Sequence, residues 1–246
     1  IICENPKHSL KLLNKLGIKK KLIALHDYNE QKIIDQIKNF LKIKSCVLIS
    51  DAGSPLISDP GYNLVQYCIN NNIKVTSVPG PSSVISALQL SGLPLSEFIF
   101  YGFVPKSKNK LEELIKIISK ENRTSVVFIS SHKLIFFLES LERIMPDRSI
   151  AICKELTKIN EFVFRGVSKN VKKYIIQKKE NLKGEFVAII DKQTMKNQDF
   201  EEIDLYKHEL KKMAAKFSLT DIVEIVHKFT KINKNKIYKC LLELKK

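Results

Sequence analysis

No apolar run in this 246-residue sequence is long enough to span a bilayer. The longest, such as Cys46 to Ile49 and Phe186 to Ile190, have the length of strands, far below the roughly 20 residues that a membrane helix requires. No membrane segment or signal peptide is visible, and the composition reads as that of a folded, soluble protein. Cysteine is scarce and shows no pairing pattern. The five, Cys3, Cys46, Cys68, Cys153 and Cys240, are widely spaced, with no C-x-x-C and no neighbouring His. They do not resemble a disulfide framework or a zinc site, and are read as reduced core residues of a cytoplasmic protein that holds no metal. Arginine is scarce too, at four of the 42 basic residues, Arg123, Arg143, Arg148 and Arg165. Lysine supplies the rest of a net charge of +16. An excess of that size suits a polyanionic partner such as RNA, although compositional drift toward Lys, Ile and Asn leaves the same mark. Its distribution says more: residues 205–246 hold eleven Lys against four acids, a net +7.

What is present is alternation. Stretches rich in Ile and Val take turns with segments of helical period, the pattern of α/β layers with mainly parallel strands in the first part. The sequence begins at Ile1, and Ile1 to Cys3 reads as the end of a buried strand with nothing before it, so an amino-terminal segment is expected to be missing. A helix from Ser9 should close on Gly17 as its C′ residue, followed by a strand over 21–26. A helix over 30–42 should present Ile33, Ile37, Phe40 and Leu41 on one face. A strand over 46–49, a helix over 62–71, a strand over 74–78 and a helix over 84–90 follow. After Pro105 the pattern restarts with helices over 111–119, 133–145 and 169–177 and strands over 125–129, 149–154, 162–165 and 185–190. The division expected is an amino-terminal α/β domain over 1–101, a second α/β domain over 102–190, a polar linker over 191–204 and a basic helical module over 205–246, in which Asn233 can cap the last helix.

Glycine and proline, eight of each, are gathered rather than spread. Four Gly and five Pro fall between residues 53 and 94, in two loops that follow the carboxyl ends of expected strands, where open parallel sheets bind ligands. The first loop, residues 50–61, is long and polar for its place. Asp59 ahead of Pro60 is read as the cap of the next helix, whereas Asp51, directly after the strand, has no such duty. The second loop, Val78 to Ser83, delivers Ser82 or Ser83 to a helix start. Neither contains the Gly-Lys-Ser/Thr of a P-loop nor a G-x-G-x-x-G turn.

ISDAGSPLISDPGYNLV (49–65), VPGPSSVISALQLSGLP (78–94) and GFVP (102–105) together resemble the family of ribosomal RNA small subunit methyltransferase I, within the tetrapyrrole methylase superfamily. Ser-Ser-His-Lys at 130–133, Glu155-Leu156-Thr157-Lys158-x-x-Glu161 and Lys183-Gly184-Glu185 extend the likeness over essentially the whole chain. The resemblance implies two α/β domains with S-adenosylmethionine in a cleft between them, and 2′-O-methylation of a ribose, a cytidine's, in small-subunit ribosomal RNA or the 30S subunit, by a homodimer. It places Ser50, Asp51, Ala52 and Gly53 beside the cofactor, Ser82 and Ser83 beneath it, and Ile129, Cys153 and the Lys183-Gly184-Glu185 turn as walls from the second domain. Asp51, Lys158 and Glu161 become candidate bases or substrate-orienting groups, ahead of His132. Three features depart from the family: the usual first strand and Pro-x-Gly-Asn-Leu loop are absent, Glu4-Asn5-Pro6-Lys7 stands for Glu-Asp-Thr-Arg, and Phe128-Ile129 has lost the usual acid. Two other readings stay open, a carbon methyltransferase of an acidic tetrapyrrole and an inactive RNA-binding relative. An ordinary ion pair between Glu155 and Lys158 is the plainest alternative to a catalytic role for that pair.

Overall fold

The computed structural model describes residues 1–177, 182–193, 206–214, 216–230 and 232–244. By its internal contacts the chain divides into two compact units, Ile1–Lys192 and Gln193–Lys246.

The first unit carries two sheets. Strands β1 (Ile2–Cys3), β2 (Ile23–Ala24) and β3 (Leu48–Ile49) form a short parallel sheet in the order β2-β1-β3. Ile2 and Cys3 in its centre are fully buried. Helix α1 (Pro6–Lys15) starts earlier than the apolar period suggests, because the Asn5 side chain accepts from the amides of Lys7 and His8 and Pro6 supplies a pre-set first turn. Its end is as expected. The amide of Ile18 bonds to Leu13 and that of Gly17 to Asn14, with Gly17 left-handed at φ 68°, the double bond of a Schellman motif. Helix α2 (Glu30–Leu41) packs Ile33, Ile34, Ile37 and Leu41 against Leu64 and Cys68 of helix α3 (Tyr62–Asn70), over Ile2 and Leu25. Phe40, placed on that face by its spacing, points outward instead and lies 5.5 Å beneath the Lys44 ammonium, while Ile34 takes the buried position.

The strand expected over 74–78 does not form; residues 73–82 run as irregular chain. Val75 and Val78 are well exposed. Among the described residues no strand pairs with the segment, and β-branched residues make a strand only where there is a pleated surface to pack on.

The second sheet has the order β4-β5-β8-β6-β7, with strands β4 (Phe98–Phe103), β5 (Thr124–Ser130), β6 (Ser149–Lys154), β7 (Phe162–Val167) and β8 (Glu185–Ile190). Only β4 and β5 pair in parallel; the other three pairings are antiparallel. β4 is the strand that sequence period misses, since Gly102 at φ 71° breaks it and its register slips between Phe100 and Phe103. Helices α5 (Lys108–Ser119), α6 (Ser131–Ile144) and α7 (Ser168–Ile176) cover one face through Ile115, Phe137, Leu138 and Ile175. The other face receives helix α4 (Ser83–Ser91), whose Val84, Ala87 and Leu88 meet Val126, Cys153 and Val187. Burying both faces explains why β6 and β8 read as unbroken apolar runs.

The second unit is helical: α8 (Lys207–Ala214), α9 (Leu219–Thr230) and α10 (Lys234–Leu244) close around Leu210, Ile222, Ile237, Cys240 and Leu241. Asn233 caps α10 by accepting from the Asn235 amide at 2.9 Å. Four of the five cysteines, Cys3, Cys68, Cys153 and Cys240, are buried, and Cys46 is partly so. The linker expected over 191–204 lies outside the described residues beyond Gln193.

Candidate functional site

The first sheet delivers an acidic residue past the end of each of its three strands: Glu4 after β1, Asp27 after β2 and Asp51 after β3. Parallel pairing makes those ends neighbours. Asp59, from the loop that follows β3, joins them, and its carboxyl pKa is pushed up to about 6, first by burial and then by the charges of Glu4, Asp51 and Asp27. It does not cap α3. That duty falls to Glu30, 4% exposed, which accepts from the amides of Gly61 and Asn63, so the cap comes from a different helix and no local sequence rule announces it. Gly61 is obligatory there, because a Cβ would lie 2.7 Å from the Leu48 side chain and its φ is 126°.

Within the loop, the Ser50 hydroxyl donates back to the carbonyls of Ala52 and Gly53 at 3.3 and 3.0 Å. This curls the backbone and leaves Ala52 and Gly53 outward-facing and exposed. Leu56 and Ser58 both hold positive φ, near 70°, and left-handed backbone at ordinary residues persists only where the surroundings impose it, most often beside functional sites. Asp51 Oδ1 is shut off from water yet accepts no hydrogen bond. His8 Nδ1 stands 3.5 Å away, an electrostatic neighbour rather than a bonded one. A buried carboxylate oxygen without a donor is costly, and His8 is the cationic group nearest to it.

The two Gly/Pro-rich loops are joined: Ser54 Oγ donates to the Pro81 carbonyl at 3.2 Å. Ser82 occupies the N-cap of α4 with extended backbone, but its side chain makes no cap bond, so the first-turn amides of α4 are left to another acceptor. Register then shows where α4 starts. Leu90 accepts from Arg165, which pairs with Ala151, and Ala87 faces the Cys153 thiol at 3.9 Å. Ser83, one turn before Ala87, therefore lies toward the far end of β6, where Glu155 begins.

That end of the second sheet holds the remaining candidates. Ile129 pairs with Phe186, Ser130 with Glu185 and Cys153 with Val187. The Ile129 side chain enters the core beneath α5 and α6, and Cys153 is buried beneath α4 with its thiol pKa pushed up to about 12 by burial. Both offer a cleft their backbone only. Lys158 Nζ bridges Glu155 Oε1 at 3.1 Å and Glu185 Oε2 at 3.0 Å, and the Glu185 amide donates to Glu155 Oε1 at 2.7 Å. Gly184 completes the interlock, since a Cβ there would sit 2.7 Å from Glu155 Cγ. Glu155 and Thr157 again have positive φ, and Glu161 braces the turn by accepting from the Thr157 amide at 2.6 Å. Burial works against the Lys158 ammonium, but its bonds to Glu185 and Glu155 outweigh that and hold its pKa above the ordinary value. Lys158 thus stays a cation. The Glu155 carboxyl is held down, chiefly by the Glu185 amide. Among the described residues no hydrogen bond or ion pair joins Asp51 to Lys158 or Glu161.

Sequence reasoning missed Asp27, His8 and Glu30 in this neighbourhood. The signal for Asp27 was there, one acid following each parallel strand; for Glu30 there was none, because its partners are more than thirty residues away.

Comparison with known proteins gives concordant results. The family model of tetrapyrrole (corrin/porphyrin) methylases matches residues 3–172. Over 192 residues the chain is 42% identical to ribosomal RNA small subunit methyltransferase I of Thermotoga maritima, covering 77% of this chain and 85% of that protein. The protein of the same name from Haemophilus influenzae is 33% identical over 240 residues, 97% of this chain and 85% of its own length. Among solved structures, diphthine synthase superposes with a TM-score of 0.54 at 16% identity, covering 78% of both chains. A cobalt precorrin-4 methyltransferase of cobalamin biosynthesis gives 0.53 at 14% identity, covering 77% of this chain and 82% of its own. These two likenesses concern the fold.

Proposed function

The chain belongs to the tetrapyrrole (corrin/porphyrin) methylase family, and from that premise we propose that it methylates small-subunit ribosomal RNA, at the 2′-hydroxyl of a cytidine ribose, with S-adenosylmethionine as donor. The observation that carries the acceptor is the extent of the likeness: the Haemophilus influenzae relative matches 97% of this chain, reaching into the lysine-rich helical unit that a small-molecule methylase does not need.

S-adenosylmethionine supplies a methyl group already activated on a cationic sulfonium, so the protein's own task is alignment rather than activation. Ala52 and Gly53 offer exposed, curled backbone; Asp51 belongs to an acidic neighbourhood that suits a cation; Ser82 and Ser83 offer hydroxyls and a helix start. The backbone at Ile129 and Cys153 and the Lys183-Gly184-Glu185 turn form the opposite wall. Lys158, held cationic, orients the acceptor or its phosphate rather than taking its proton. Glu161 and Asp51 are the carboxylates left to receive the hydroxyl proton, a role in which general bases contribute roughly 10²- to 10⁴-fold. No helix among the described residues is long and apolar enough to cross a membrane, and the enzyme is proposed to act in the cytoplasm, as a homodimer.

The pocket assignment is tested by calorimetry on Ala52→Trp. A bulky ring in that curl is expected to abolish cofactor binding while leaving the fold, followed by circular dichroism, intact. Unchanged affinity in a folded variant contradicts the placement.

A further inference from the structure

A second concavity lies at the carboxyl ends of β4 and β5, the one parallel pair of the larger sheet. Its volume is about 740 Å³, within the roughly 300–1,000 Å³ of ligand sites. The walls come from the end of β4 and the segments that follow the two strands, one side carrying Phe103, Lys106 and Lys108, the other His132, Lys133 and Phe136. No carboxylate lines it. Among the described residues no ion pair engages Lys106, Lys108 or Lys133. Lys133 is occupied structurally, donating to the Val104 carbonyl at 2.8 Å, and its pKa is pushed down first by burial and then by the charge of Lys106. Lys108 stands 5.1 Å over the Phe136 ring. Uncompensated cations gathered around a cavity are relieved by an anion. The starts of α5 and α6 face the same space, and Ser130 leaves its N-cap duty unfilled, its hydroxyl lying 3.4 Å from His132 Nε2 instead.

Phe103 adds a second kind of contact. It is 60% exposed, and its ring lies edge-on against Phe128 at 5.2 Å. An exposed aromatic backed by a second ring and set among lysines is the combination by which proteins hold unpaired nucleotides, stacking the base and neutralising the backbone. The cavity also adjoins the candidate cleft on two sides. A Cβ at Gly102 would lie 3.7 Å from Ser58 Oγ of the first loop, and Ser130 pairs with Glu185 of the second wall.

We propose that this cavity seats an unpaired RNA nucleotide flanking the methylated one, its phosphate contacted by Lys106, Lys108 and His132 and its base laid on Phe103. The proposal rests on the ribosomal RNA reading of the cleft. Occupying a neighbour's seat fixes which nucleotide enters the cleft, so the cavity selects position along the strand rather than accelerating transfer.

The test is filter binding of small-subunit ribosomal RNA across a salt series, with cofactor affinity measured alongside by calorimetry. Lys106→Gln/Lys108→Gln is expected to flatten the slope of log K against log salt by about 1.4, roughly 0.7 per lost single-strand phosphate contact. Phe103→Leu should weaken RNA binding roughly tenfold without altering the slope. Lys106→Arg/Lys108→Arg and Phe103→Tyr should restore wild-type behaviour, and cofactor affinity should hold throughout. RNA affinity and slope unchanged in both loss variants, while the wild type binds and methylates RNA, overturn this proposal alone. Cofactor affinity lost in step with RNA also overturns it, by assigning the cavity to the cofactor. A wild type that takes cofactor but binds no RNA removes the broader reading and this one together.

Discussion

Single side chains in the candidate cleft carry two separable duties, and Lys158 shows how to tell them apart. Its bridge to Glu155 and Glu185 is part exposed, and such pairs contribute only about 0–1 kcal/mol to stability. Lys158→Ala should therefore leave the protein folded and cofactor affinity near wild type, yet lower methyl transfer by roughly 10²-fold through misplacement of the acceptor. Equal losses of binding and transfer would reduce the lysine to a structural ion pair. Asp59 makes the electrostatics of the acidic edge measurable. Folded, its carboxyl keeps its proton up to about pH 6, against an ordinary value of 3.8. Between those values the folded state carries more protons than the unfolded one, so this group's contribution is fully present below 3.8 and is lost as pH rises through 6. A two-unit shift corresponds to roughly 3 kcal/mol for a shielded group, and solvent screening at this half-exposed position leaves about 1 kcal/mol. Asp59→Asn should accordingly stabilise the protein by about 1 kcal/mol at pH 8 and remove that slope, read by urea unfolding between pH 4 and 8. An identical slope in both proteins would sink the assignment.

At the scale of elements, what could be read in advance followed from local chemistry, and what could not depended on distant partners. Gly17 ends α1 because only a left-handed residue closes that turn, and β6 and β8 are legible because burial on both faces leaves an unbroken apolar run. The strand expected at 74–78 has the right residues and no neighbour to pair with. β4 has the neighbour but a glycine that breaks its period. The same contrast runs through the cleft: the two Gly/Pro-rich loops, Asp51 and the 155–161 and 183–185 turns stand out in sequence, and their hydrogen bonds now tie them into two clusters. The inward orientation of Ile129 and Cys153 and the cap supplied by Glu30 emerge only from contacts between residues far apart in the chain. The carboxy-terminal helices are a different case, legible as a unit from charge and period alone. They have their own core, so truncation after Asp204 should leave the first unit folded and able to bind cofactor. RNA affinity should fall, and its salt dependence should flatten by about 0.7 to 0.9 for each phosphate contact removed. A truncated protein with unaltered salt slope would relieve the tail of its assigned role.

At the scale of the whole molecule, a fold shared with methylases of quite different substrates carries the candidate donor cleft together with a lysine-rich charge that suits a polyanion. The fold alone does not decide the acceptor; the likeness to ribosomal RNA methyltransferases, which runs over nearly the whole chain, does. The methyl group is therefore delivered to a ribose oxygen of ribosomal RNA, and the chemistry of RNA cleavage reads this out directly. Alkaline cleavage of RNA needs a free 2′-hydroxyl, so small-subunit RNA incubated with the protein and radiolabelled S-adenosylmethionine should afterwards show label in RNA and one gap in its alkaline ladder, at a cytidine. Label on a base with an unbroken ladder, or label accepted by a tetrapyrrole and not by RNA, would contradict the account.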